Sequence, residues 1–214
     1  MELAYFLHRL TKLKENRLPG GVAHSLLAPP YRMAQLRAMQ TKTSKFKKAA
    51  VLLLFYPNAQ GKVSFVLTRR KVYRGPHSGQ ISLPGGKPEP LDDDLWATAL
   101  RETHEEVGIS SNHVEYLISL TELYVPPSNF LIIPFVGYVK KTCVFKPDPK
   151  EVDAILEISL QGLINNKPMM TKQSLSYGGS IEVPAFVFDE HEVWGATAMI
   201  LSEFKILITA GLSK

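Results

Sequence analysis

The stretch Arg-Glu-Thr-His-Glu-Glu-Val-Gly-Ile, residues 101–109, constrains the fold of this chain more than any other. Glu102, Glu105 and Glu106 stand at i, i+3 and i+4, so in a helix their carboxylates share one arc roughly 100° wide. Trp96, Leu100, Thr103 and Val107 then fall on the roughly opposite face. A helix over about 92–107, stopped by Gly108, must therefore meet a core on one side and find a use for three like charges on the other. Just before it, Pro84-Gly85-Gly86 permits a backbone conformation and a close approach that side chains would obstruct.

The rest of the chain reads as one mixed α/β domain. Residues 3–14 and 31–39 show broken helical periodicity, with Pro19, Gly20, Gly21, Pro29 and Pro30 between them, which predicts a two-helix preface. AAVLLLFY and VSFVLTRR, joined by PNAQGK, predict a hairpin. VEYLISLTELYV and LIIPFVGYVK predict two strands around PPSN, DAILEISL a strand running into a helix at QGLI, and IEVPAFVF a further strand. WGATAMILSEFKILITAG predicts a long closing helix, with Trp194 expected to anchor it in the core rather than to stack on a ligand. PPYR, residues 29–32, receives no role.

With 214 residues, 45% of them hydrophobic, the chain can bury a sizeable core. The single Cys143 excludes an internal disulfide and a cysteine-rich zinc site, so a reducing compartment, the cytoplasm, is the expected location. The apolar runs at 51–56 and 131–136 fall far short of the roughly 20 residues of a spanning helix. No membrane span is expected. The first twenty residues include Glu2 and Glu15 and lack a long apolar stretch before a cleavage site, so a packed helix is expected there rather than a targeting peptide. A formal charge of +5 suits an anionic partner, yet the basic residues are dispersed and give no strong nucleic-acid signal.

Clustered carboxylates supply hard oxygen ligands, which suit Mg²⁺ or Mn²⁺ and would be stabilised together in their ionised form by such a cation. His104-Glu105 begins like the zinc-protease pattern H-E-x-x-H, but Gly108 occupies the second histidine position.

The segment GGKPEPLDDDLWATALRETHEEVGI resembles the Nudix box. Its tail matches throughout. Its upstream half is one residue longer than usual, with five residues between Gly86 and Asp92 and eight between Asp92 and Arg101. Together with LTRRKVYRGPHSGQISLPGG it is similar to the coenzyme A pyrophosphatase branch of Nudix hydrolases: Leu67, Thr68, Arg70 and Gly79 match. Lys71, Gly75 and Leu83 depart from that pattern, and Arg74 stands one place early.

The resemblance implies an α/β (α+β) fold, a Nudix-type mixed β-sheet packed between helices, with residues 1–45 as a helical extension packed on a hydrolase domain at 46–214. It implies that Glu102, Glu105 and Glu106 hold one or more Mg²⁺ or Mn²⁺ ions with a backbone carbonyl near Gly85 or Gly86. Arg101 would brace a carboxylate. Glu151, with Glu122 as second choice, would be the later acidic group that activates water, making Glu102, Arg101 and Glu151 the catalytic set. Glu89 precedes the metal-binding face and is expected to matter less.

Arg69, Arg70, Lys71 and Arg74 would receive phosphates, with His77, Ser78 and Gly79 shaping the same loop. The implied reaction is hydrolysis of coenzyme A or acyl-CoA to 3′,5′-ADP and a 4′-phosphopantetheine product. ADP-ribose or another nucleoside diphosphate derivative is the alternative substrate, and a non-catalytic nucleotide- or RNA-binding regulator the alternative of a different class. The expected partner is a small-molecule diphosphate, with a homodimer as an allowed assembly.

Overall fold

A continuous apolar run suits a strand covered on both faces, and β1 (Lys47–Pro57) lies inside the main sheet. Its alternate side chains divide between two clusters: Leu53 and Phe55 enter one, and Ala50, Leu52, Leu54 and Tyr56 the other. The computed structural model describes residues 1–13, 17–32, 34–35, 46–73, 77–174 and 179–210. In it β1 runs parallel to β7 (Phe130–Tyr138) and antiparallel to β2 (Val63–Arg70).

The mixed sheet extends beyond β7 to β5 (Glu115–Ser119) and β6 (Leu123–Val125), and beyond β2 to β8 (Val152–Ser159). β1 and β2 pair with each other only over Phe55–Pro57 and Val63–Phe65. Farther along, β2 pairs with β3 (Ile81–Ser82) and β1 with β4 (Gly85–Gly86), so the segment between the predicted hairpin and the acidic helix is wedged into the sheet.

Helix α3 (Leu95–Val107) lies over the second cluster, with Ala99 and Val107 buried and Trp96 set edge-on to Phe135. It begins three residues later than the pattern predicts. Asp94 is its N-cap, accepting from Ala97 N–H at 2.7 Å, and the acidic residues before it lie outside the first turn.

The other face of the sheet is covered by α1 (Leu3–Leu13), α2 (Gly20–Leu26), α4 (Leu160–Asn165) and the closing helix α5 (Gly195–Ala210). Phe6 packs with Phe55 and Phe204 at ring distances of 4.8 and 6.3 Å. A three-stranded antiparallel sheet of β9 (Met169–Ser174), β10 (Ser180–Phe188) and β11 (His191–Trp194) adds Phe186, Phe188 and Val193 to that core.

Several expectations change. The second helix of the preface lies at 20–26, where the Pro and Gly residues predict a break; of the predicted helix at 31–39, most lies outside the described residues. Ala23 and His24 are buried against α5, and that packing overrides poor propensity. VEYLISLTELYV is two strands rather than one. β9 and β11 carry no apolar alternation of their own and form by pairing with β10. Trp194 is half-buried at the end of β11.

The interruption between β5 and β6 is tied to α5. Glu203 has no exposed surface and receives Thr121 Oγ–H at 2.6 Å, Thr121 N–H at 3.2 Å and Gly20 N–H at 3.3 Å, with His24 Nε2 at 2.9 Å. Burial pushes its carboxyl up, but the bonds from His24 and Thr121 outweigh this and leave it below the ordinary value of 4.5. Its contribution to stability is therefore complete above pH 4.5 and lost as pH falls through the lowered folded value. Glu203→Ala should cost about 3–5 kcal/mol in urea unfolding at pH 7, and the difference from the parent should shrink on acidification; a difference independent of pH would refute the ionic role.

Candidate active site

The wedged Gly-Gly segment meets the acidic helix because neither glycine carries a side chain. A Cβ on Gly85, whose φ is +148°, would lie 2.3 Å from the Ala50 carbonyl oxygen, and one on Gly86 would lie 2.3 Å from Glu102 Oε1. The segment that follows is held by Arg101. Its Nε and Nη2 bond the two oxygens of Asp92 at 2.9 and 3.1 Å, Nη2 also reaches the Lys87 carbonyl at 2.8 Å and Glu102 at 3.2 Å, and Nη1 reaches Glu105 at 3.0 Å. Asp92 accepts further bonds from Thr98 Oγ and Glu89 N–H, and the Arg101 contacts foremost hold its carboxyl down at about 2.

Glu106, one turn beyond Glu102, is 3% exposed. Arg70 Nη1 stands 3.7 Å from Oε1, and Thr68 Oγ donates to Oε2 at 3.5 Å. Desolvation pushes its carboxyl up to about 8, reinforced by the negative charges of Glu102 and Glu151 and opposed by Arg70 and the Gly85 N–H. Glu102 is raised for the same first reason, with Arg101 opposing.

Glu151 comes to this place through a loop that caps the same helix. Lys146 and Asp148 donate their N–H groups to the carbonyls of Val107 and Glu106, and Lys71 N–H bonds the Glu151 carbonyl at 3.0 Å. The result is an open cleft of about 430 Å³, lined by Arg70, Gly85, Gly86, Lys87, Pro88, Glu89, Glu102, Glu106 and Glu151.

Residues 46–173 match the family model described as the NUDIX domain, more than half of the chain. The chain belongs to the Nudix hydrolase family. It is 32% identical over 157 residues to the uncharacterized Nudix hydrolase NudL of Photorhabdus laumondii, covering 73% of this chain and 82% of that protein. It is 31% identical over 163 residues to the mitochondrial Nudix hydrolase 15 of Arabidopsis thaliana, covering 73% of this chain and 57% of that protein. The chain thus spans little more than half the length of its first plant relatives. In fold it is similar to the crystal structure of the MutT protein from Methanosarcina mazei Go1, with a TM-score of 0.51, 18% identity, and coverage of 78% of this chain and 96% of that one.

Within this Nudix fold the sequence-selected residues separate. Glu102, Glu106, Glu151, Gly85, Gly86 and Arg70 share the cleft. Glu105 does not line it; it is exposed on the far side of Arg101. Glu122 is exposed and lies outside it too. Arg69, next to Arg70 on β2, projects the other way and pairs with Asp153 at 2.7 Å. His77, Ser78 and Gly79 close a turn of their own through His77 to Gln80, Ser78 Oγ to Tyr73 N–H, and Gly79 N–H to the Lys71 carbonyl. Arg74 lies outside the described residues.

Sequence reasoning gave no site role to Asp92, Thr68 or Lys87, and Glu89, expected to matter less, lines the cleft. Asp92 left one signal: it stands where the box's upstream half is lengthened.

Nudix hydrolases generally need divalent cations, typically Mg²⁺ or Mn²⁺. The donor set here fits, being all oxygen, with one buried carboxylate whose ionised form is disfavoured in the protein alone. Among the described residues no three acidic, histidine or cysteine side chains are drawn together around one point, so a cation held by Glu102 and Glu106 would share its shell with water and phosphate oxygens.

Two measurements check this geometry. Gly86→Ala should lower Mn²⁺ affinity measured by electron paramagnetic resonance while unfolding near the parent temperature, since only the Glu102 side chain must move, whereas Gly85→Ala should destabilise by roughly 2 kcal/mol or more, since backbone is struck. In chelator, the elevated Glu106 carboxyl makes the parent's stability relative to Glu106→Gln greatest below pH 4.5 and lost as pH rises through about 8; Mg²⁺ should remove that alkaline loss.

Proposed function

We propose that this chain hydrolyses the diphosphate linkage of coenzyme A or acyl-CoA with Mg²⁺ or Mn²⁺, releasing 3′,5′-ADP and (acyl) 4′-phosphopantetheine. One observation carries the reading: of the Leu67-Thr68-x-Arg70 residues that resemble the coenzyme A branch, both polar side chains turn toward Glu106 in the cleft. The bound cation would neutralise diphosphate charge and acidify a water.

Glu102 and Glu106 would supply its carboxylate oxygens, with a backbone carbonyl at Gly85 or Gly86. Arg101 fixes Glu102 against Asp92. Glu151, exposed and lining the cleft, would accept a proton from water, and Lys87 would contact a phosphate. Lys71 and Arg74 are assigned to the 3′-phosphate on the motif.

A second reading, hydrolysis of ADP-ribose or another nucleoside diphosphate derivative, draws support from Arg69 and the 77–79 turn, whose polar groups are bonded elsewhere. A non-catalytic nucleotide-binding regulator is disfavoured, because binding alone does not call for a buried carboxylate raised this far. We place the protein in a reducing compartment such as the cytoplasm on its single cysteine, and assign residues 1–45 as an extension whose Phe6 and Leu10 complete the core of a 46–214 domain.

A panel of coenzyme A, 3′-dephospho-coenzyme A and ADP-ribose with Mg²⁺ and Mn²⁺, with both products identified, tests the reading. Coenzyme A should show the highest kcat/KM; equal values for it and its dephospho form would transfer the assignment to the second reading. Glu106→Gln should lower kcat by about 10²-fold or more, the scale of losing one preorganised electrostatic group.

A further inference from the structure

We infer that Arg70 serves two anions in turn, the Glu106 carboxylate when that group lacks a cation and a phosphate oxygen of the diphosphate once Glu106 is engaged by one. The inference rests on the diphosphate reading of the cleft and does not depend on which nucleotide carries it.

Three arginines near the cleft are held differently. Arg101 bonds Asp92 with two nitrogens and has further acceptors in Lys87 O, Glu102 and Glu105. Arg69 grips Asp153 through Nε and Nη2, both at 2.7 Å. The described contact of the Arg70 side chain is a single approach of Nη1 to Glu106 Oε1 at 3.7 Å, beyond the 2.7–2.9 Å typical of a charge-assisted bond. A guanidinium presents five N–H donors in a fork suited to phosphate, and this one is 30% exposed on the cleft.

The two ends of the contact differ in freedom. Glu106 is buried, and its other oxygen faces Thr68 Oγ. Arg70 is fixed only through its backbone, with N–H bonded to the Gln80 carbonyl at 3.0 Å. The side chain that can turn is therefore arginine. Charge sets the order: with Glu106 ionised, Glu89, Glu102, Glu106 and Glu151 outnumber Arg70 and Lys87 among the lining residues, so a diphosphate meets net negative charge while Arg70 stays committed to Glu106. Neutralising Glu106 both lowers that repulsion and releases a donor aimed at the same space.

Binding of the non-hydrolysable diphosphate α,β-methylene-ADP, measured calorimetrically in the parent, Glu106→Gln, Arg70→Gln and the double variant, separates these two effects. In chelator at pH 9, where Glu106 is ionised, Glu106→Gln should bind about tenfold more tightly than the parent, the scale of one released charge-assisted bond, and the gain should vanish when Arg70→Gln is added. With Mn²⁺, Arg70→Gln alone should weaken binding by a similar factor. Thermal unfolding confirms that each variant is folded, and Arg70→Lys, which keeps charge without the fork, replaces Arg70→Gln in the cycle if the latter does not fold. An equal gain from Glu106→Gln with and without Arg70 would reduce the effect to charge removal and overturn the inference while leaving the diphosphate reading intact. Absence of binding by the Mn²⁺-loaded parent would overturn both.

Discussion

An ionised carboxylate buried as deeply as Glu106 carries a desolvation cost of several kcal/mol, and the elements around the cleft are arranged about that cost. β2 contributes Thr68 and Arg70, two residues apart and so on one face of the strand. β4 contributes the Gly85 N–H, whereas Glu151, on a loop docked on the carbonyls at the end of the same helix, adds negative charge that raises the cost. None of these is enough to restore an ordinary carboxyl. The site is thus under-compensated in the protein alone, the electrostatic condition in which a divalent cation gains most from binding.

The second fixed point is the Arg101–Asp92 pair. It turns the acidic segment after the Gly-Gly wedge back onto the helix and bonds Glu102 through the same guanidinium, so the wedge and the helix are joined through one side chain. Glu105 belongs to the outer side of this clamp. The three glutamates of the sequence pattern therefore divide: two face the cleft, and the third offsets charge on the guanidinium that positions its neighbour. Glu203 does comparable work on the other side of the sheet, joining the N-terminal segment, the break between β5 and β6, and the closing helix.

What the sequence determined by itself was whatever depends on local spacing. The two-faced helix follows from the i, i+3, i+4 pattern; β1 and β2 follow from apolar runs around a turn; the close approach at Gly85 and Gly86 follows from the lack of a Cβ. The family follows from the same segment, since its chemistry is packed into one short stretch. Only the tertiary structure decided which charges meet. Arg69 and Arg70 are adjacent in sequence, but the strand sends them to opposite faces, one to Asp153 and one to Glu106. Glu105, expected among the metal ligands, pairs with Arg101 and does not line the cleft, whereas Glu151 reaches the cleft through a loop bonded to the end of the helix. Helix 20–26 and strands β9 and β11 are likewise products of their partners, stabilised by burial and by pairing rather than by propensity. Local pattern fixes what a segment can form, while long-range packing, where desolvation and charge are balanced, fixes what its side chains do.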